Sequence, residues 1–308
     1  MKKIAIALLL VSAAAFAQEG TGPYKAILEQ DPGLPTHTVY RPQNLNALNG
    51  RKLPIIAWGN GGCSNSGLAH RNFLMEIASH GFLAIAIGPP TAPAGFGGRG
   101  AKGKAKGKGK APAKGKGTAA QAGPATKSSQ LTEAIDWALA QNSKAGSPYY
   151  GKLDPSKIAV MGMSCGGIQS YAVATDPRVK LVGIWNSGIL PEEGRGDGPA
   201  MEDIHKSRLD ELHSPIFFVT GDSSDIAYAN GLDDFQRITK VPAVHLYRDG
   251  VSHGGTYSEP NGGIFGEVGV AMLEWQFDGN QEARKMFVGK DCGYCKDPKW
   301  HVSTKGVE

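Results

Sequence analysis

Residues 157–171 read Lys157-Ile158-Ala159-Val160-Met161-Gly162-Met163-Ser164-Cys165-Gly166-Gly167-Ile168-Gln169-Ser170-Tyr171. After Lys157, Ile158 to Met161 are apolar and β-branched enough for a buried strand, and the residues after Ser164 suit a helix through Ala174. Between them lies Gly-x-Ser-x-Gly. A hydroxyl is a weak nucleophile until a base takes its proton and a tight turn holds it clear of the sheet. A strand-to-helix corner does the second job by forcing Ser164 into strained backbone angles, and the flanking glycines let neighbouring backbone come close. A bare Gly-x-Ser-x-Gly is common; one set between a strand and a helix is specific.

Working outward, a base is expected late in the chain, after the last central strand. Among the eight histidines, His253 in Asp249-Gly250-Val251-Ser252-His253-Gly254-Gly255-Thr256-Tyr257 has the small neighbours and the chain position that a base requires. His80 reads as a helix C-terminal residue, and His245, alternating with apolar residues, as part of a strand. An acid that orients the imidazole should follow the preceding strand. Ile216-Phe217-Phe218-Val219-Thr220 runs into Gly221-Asp222-Ser223-Ser224-Asp225, so two carboxylates compete. Asp222 directly follows the strand and could equally bond loop amides. Asp225 lies farther out, where the loop swings toward the histidine, and is the preferred acid.

A developing oxyanion needs preorganised N–H donors. One is expected from the amide of Cys165, the other from Gly59-Asn60-Gly61-Gly62-Cys63, with Asn60 and Gly61 as the candidates. No Lys-Ser/Thr pair follows this loop, so it is not a phosphate cradle of the Walker kind. Trp185 ends a strand at the same rim, either walling a substrate site or filling core.

The rest of the chain alternates in the same way. Strands are predicted at 53–58, 82–87, 181–185, 216–220 and 244–247, and helices at 68–79, 132–141, 228–239 and 266–277. That alternation predicts an α/β fold: a mostly parallel central sheet flanked by helices. Residues 93–127 break the rhythm, being almost wholly Gly, Ala, Lys and Pro, and are expected to be a disordered insertion within the domain. Residues 191–213 read as a modest polar excursion ending in a helix. The expected organisation is therefore a leader at 1–17 and one domain over 18–308 carrying that insertion.

The leader follows from Met1-Lys2-Lys3, the apolar run Ile4 to Ala15 and the Ala15-Phe16-Ala17 cleavage pattern, which together predict a secreted or periplasmic protein. The run is too short for a permanent transmembrane helix. The formal charge of +5 belongs to the leader and the insertion. Without Lys2, Lys3 and the eight cations of residues 99–116, the remainder carries −5. The insertion offers charge to an acidic polymer or anionic surface, but no interleaved aromatic residues support specific nucleic-acid binding. The four cysteines, Cys63, Cys165, Cys292 and Cys295, are disulfide candidates in an oxidising compartment. Cys63 and Cys165 border the two donor loops and should approach each other. Cys292-Gly293-Tyr294-Cys295 lacks a four-ligand zinc set and the strand-helix setting of a redox motif.

These pieces together resemble the α/β-hydrolase superfamily, in particular secreted single-domain esterases of the dienelactone hydrolase, cutinase and acetylxylan esterase neighbourhood. The resemblance rests on Gly59-Asn60-Gly61-Gly62, Gly162-Met163-Ser164-Cys165-Gly166-Gly167, Ser224-Asp225-Ile226-Ala227-Tyr228 and Ser252-His253-Gly254-Gly255-Thr256-Tyr257. The tail from Phe265 through Trp275-Gln276 to Cys295 is also similar, so the likeness spans about residues 35–300 outside the insertion. It implies a Ser164, Asp225, His253 triad and hydrolysis of small or polymer-linked esters through an acyl-enzyme, with no metal or organic cofactor. The lysine insertion and Cys165 depart from the pattern. Two rivals are a peptidase of the same fold, which would usually carry an accessory domain, and a non-catalytic protein that binds through the insertion.

Overall fold

The computed structural model describes residues 20–91, 125–191 and 203–307. The leader expected at 1–17, nearly all of the insertion and residues 192–202 of the polar excursion lie outside the described residues. In chain order the elements are β1 (Ala26–Glu29), β2 (His37–Pro42), β3 (Leu53–Gly59), α1 (Arg71–Ser79), β4 (Leu83–Ile87), α2 (Ser129–Ser143), β5 (Leu153–Met163), α3 (Cys165–Val173), β6 (Leu181–Trp185), β7 (Ile216–Gly221), α4 (Tyr228–Arg237), β8 (Ala243–Arg248), α5 (Gly263–Asp278), α6 (Gln281–Lys285) and β9 (Trp300–Lys305). The excursion ends in a short 3-10 helix, Lys206–Glu211.

One nine-stranded sheet runs β1-β2-β4-β3-β5-β6-β7-β8-β9. Strands β3 to β8 are parallel, while β1, β2 and β9 add antiparallel edges. The expected strands and helices are all present, with ends shifted by a few residues; β1, β2, β9 and α6 are additional.

Side chains alternate across the sheet, so neighbouring residues feed two separate cores. Ile55, Ala57, Ile158 and Val160 pack under α2 and α3 through Leu131, Ile135 and Tyr171. Ile56, Trp58, Ala159 and Met161 pack on the other face with Phe73 and Ile77 of α1 and Phe265 and Val268 of α5. This double coverage is why the central strands are continuously apolar.

The chain crosses from β3 to β4 in one direction and then returns, through α2, to put β5 on the other side of β3. Such a reversal leaves the carboxyl ends of two adjacent parallel strands without a crossover above them, the usual place for a site in an open α/β sheet. The two strand ends here are Gly59 and Gly162, paired in register.

Candidate active site

Directly beyond Gly162, Ser164 adopts φ +53° and ψ −116° between β5 and α3. Left-handed φ costs a non-glycine residue roughly 1–3 kcal/mol, a strain that persists only where surrounding contacts impose it. The Ser164 amide donates to the Trp185 carbonyl at 2.9 Å, and its own carbonyl accepts from Gly167 N–H at 2.8 Å and Ser187 Oγ at 2.7 Å. Glycine is required at 162 and 166 because α3 presses on the sheet. A Cβ on Gly162 would strike the backbone of Gly166, and one on Gly166 would strike the backbone of Gly59.

Ser164 Oγ lies 2.9 Å from His253 Nε2, and His253 Nδ1 lies 2.7 Å from Asp225 Oδ1. A carboxylate only accepts, so Nδ1 carries the proton and Nε2 is left to accept the serine O–H. Asp225 is buried, and Asp225 Oδ1 also accepts from Ala227 N–H at 2.9 Å. Its Oδ2 accepts from Gly221 N–H at 3.1 Å and Asn186 Nδ2 at 2.7 Å. Burial pushes this carboxyl pKa up, but the bonds from His253, Ala227, Asn186 and Gly221 outweigh it and hold the group below the usual range. Asp222, the competing carboxylate, is spent on loop amides: Ser224 N–H at 2.8 Å and Gly250 N–H at 2.7 Å.

Two cavities meet at the Ser164–His253 pair. The larger, of about 350 Å³, is lined by Gly61, Gly62, Ser64, Ala69, His70, Met163, Ser164, His253 and Gly254. The smaller, of about 140 Å³, runs past Ile168, Asn186, Leu190, Ile226 and Asn230. Two compartments on either side of a hydroxyl suit the two halves of an ester. Gly61 and Gly62 border the larger cavity, whereas the side chain of Asn60 is turned inward. Asn60 Nδ2 donates to the carbonyls of Ser64, Ser66 and Ile87, so this residue shapes the loop from within. Cys63, at φ +48°, is disulfide-bonded to Cys165 with Cα atoms 5.3 Å apart. Cys292 and Cys295 form the second disulfide.

Of the two places open to Trp185, the rim of a substrate site or the core, the side chain takes the core. It is fully buried, ringed by Trp58, Phe73, Tyr257 and Phe265, and lines neither cavity, so it fills core and does not wall a substrate site. Three residues had no assigned role. Asn186, at φ +39°, braces Asp225, and Tyr257 Oη donates to Asn186 Oδ1 at 2.5 Å. His70 walls the larger cavity. Asn186 and Tyr257 lie beside or inside motifs that were legible, but nothing in those motifs says which side chain meets which. His80 caps α1 and His245 is buried within β8, as their surroundings in the sequence suggest.

Among the described residues no group of three or more His, Cys, Asp or Glu side chains is arranged to hold a metal, and no helix is long and apolar enough to cross a membrane. The family model described as PETase, PET hydrolase-like, matches residues 116–186, which contain β5, the Ser164 corner and β6. The fold is that of an α/β hydrolase. The match supports the esterase neighbourhood of that superfamily and a hydrolase acting on esters. No curated protein matches the chain.

Proposed function

We propose that the chain is a secreted serine hydrolase that cleaves carboxylic esters through an acyl-enzyme on Ser164. The observation that carries this reading is the unbroken line Ser164 Oγ, His253, Asp225, at 2.9 and 2.7 Å, beginning on a serine strained at φ +53°. His253 Nε2 takes the Ser164 proton as Oγ attacks the ester carbonyl. The imidazolium is stabilised by Asp225, which hydrogen bonds keep ionised. The tetrahedral oxyanion turns toward the amide of Cys165 and the Asn60 or Gly61 amide of the loop after β3, and His253 returns the proton to the departing alcohol. Water, activated by the same histidine, then releases the acyl group.

Two disulfides, the leader-like N-terminus and the PET hydrolase-like match support export into an oxidising compartment. The same match makes an aromatic polyester one member of the substrate panel.

The test is a panel of chromogenic acyl esters with a polyester film beside them, run on the wild type and Ser164→Ala. Short acyl esters should turn over, and the variant should lose at least about a thousandfold, the scale on which triad members act. Equal turnover by both would exclude the mechanism.

A further inference from the structure

His70 is the buried histidine of the larger cavity, and the triad does not use it. Its ring is held on two sides: Trp58 lies edge-on at 5.3 Å between ring centroids and Tyr257 at 4.9 Å. Trp58 Nε1, which can only donate, lies 3.3 Å from His70 Nδ1. Asn60 Oδ1 also lies 3.3 Å from Nδ1, and the three carbonyls bound by Asn60 Nδ2 fix that amide's orientation. The two neighbours make opposite demands on Nδ1. A buried N–H without an acceptor is the rarer and costlier deficit, whereas an underused carbonyl oxygen is better tolerated. Nδ1 therefore accepts from Trp58, and the proton of the neutral ring sits on Nε2.

His70 Nε2 makes no hydrogen bond within the described protein. Nor is it among the side-chain nitrogens sealed from solvent without a partner, so it is the ring edge that opens on the cavity. Apart from the Ser164–His253 pair and the Ser64 hydroxyl, the lining residues around it are glycines and short or apolar side chains, Gly61, Gly62, Ala69, Met163 and Gly254. Burial holds the ring pKa down to about 4, so it stays an uncharged donor at neutral pH.

We infer that His70 is a specificity-determining residue whose Nε2–H donates to an oxygen on the substrate chain, so that the enzyme selects oxygenated esters, such as alkoxy- or hydroxy-substituted ones, over plain alkyl esters. This rests on the serine-esterase reading of the same site. A purely apolar chain in this cavity leaves the Nε2–H without an acceptor, and an ether, hydroxyl or carbonyl oxygen at the right depth supplies one.

The experiment uses isosteric ester pairs: 4-nitrophenyl methoxyacetate against butyrate for the acyl side, and 2-methoxyethyl against butyl benzoate for the alcohol side. Each kcat/KM is divided by the hydroxide rate constant of the same ester, and active sites are counted with a fluorophosphonate. In one of the pairs the wild type should prefer the ether about five- to tenfold, the worth of one neutral hydrogen bond. His70→Phe should lose about five- to tenfold more on the ether ester than on its alkyl partner, which abolishes that preference, and His70→Gln, which keeps a donor, should restore much of it. Wild-type ratios equal to the hydroxide ratios in both pairs would overturn the proposal without any variant. So would equal losses on ether and alkyl esters in His70→Phe that still titrates fully. Failure of the fluorophosphonate to label Ser164 would instead overturn the underlying esterase reading.

Discussion

Cys63 and Cys165 are joined by a disulfide that ties the loop after β3 to the first residue of α3, directly beside Ser164. The bond closes 102 residues of chain and links the two backbone segments proposed to bind the oxyanion. The loop it fixes is glycine-rich and bends through left-handed conformations at Gly62 and Cys63; Asn60 ties it from within, and the disulfide adds the covalent link to α3. Oxyanion stabilisation depends on donors that are already in position when charge develops. The double variant Cys63→Ala, Cys165→Ala should therefore lose kcat by about tenfold or more with KM nearly unchanged. Its denaturant-derived stability should fall by up to about 4.7 kcal/mol, the chain-entropy expectation for so long a loop. A variant as active as wild type would mean the donors hold themselves in place.

Asp225 and Asp222 sit three residues apart on one loop and do different jobs. Asp225→Asn keeps the shape but lets the side chain donate to His253, which favours the wrong tautomer. It should lower kcat by about 10³–10⁴. Asp222→Asn still accepts one loop amide with its carbonyl and should stay within about fivefold of wild type. Steady-state kinetics on the two variants side by side decides between the carboxylates, and the reverse ranking would reassign the acid.

The central strands could be read from the chain because β3 to β8 are covered on both faces and so appear as runs of aliphatic residues. The edges could not. β2 holds His37-Thr38-Val39-Tyr40-Arg41-Pro42, and its polar members are buried only because distant partners receive them. His37 Nε2 bonds the Gln130 carbonyl, and Thr38 Oγ1 donates to that of Gly88. Such pairings across 50 or more residues leave no local periodicity. The Ser164, Asp225, His253 set was legible because each residue sits in a short stretch with its own turn chemistry. Trp185 was ambiguous for the opposite reason, since a strand end serves core or rim equally. Period two settles it, putting Trp185 on the face of Leu181, under α5. The bracing of Asp225 by Asn186, and of Asn186 by Tyr257, depends on three separate loops converging and has no sequence signature.

That bracing can be tested. The Tyr257 hydroxyl is buried and donates to Asn186 Oδ1, which leaves Asn186 Nδ2 directed at Asp225. Tyr257→Phe removes the hydroxyl but keeps the ring that packs against Trp58 and Phe73. It should reduce kcat about three- to tenfold, the worth of one buried hydrogen bond acting through the acid. Asn186→Ala should cost more, because Asp225 then loses a donor outright. Thermal melts within a few degrees of wild type would separate this positioning effect from simple unfolding.

Far from the cavity, His80 at the end of α1 lies between two carboxylates, with Nε2 3.2 Å from Glu76 Oε1 and Nδ1 3.2 Å from Glu274 Oε1 on α5. Burial opposes its charge, but hydrogen bonds to Glu274 and Glu76 and their negative charges outweigh it, raising the pKa from 6.5 to about 9. Glu76 also accepts from the Thr21 amide at 2.7 Å, so the protonated imidazole joins α1, α5 and the N-terminal segment. Because the folded-state pKa is the higher one, the contribution is fully present below pH 6.5 and is lost as pH rises through about 9. Wild-type stability from urea melts should therefore decline across that window by about 2 kcal/mol, the linkage figure of about 3.4 kcal/mol reduced because solvent screens this half-buried cluster, beyond what other groups cause. His80→Gln should start lower by a similar amount at pH 6 and show a flatter alkaline limb. A variant whose limb is as steep as the wild type's would place the titrating group elsewhere.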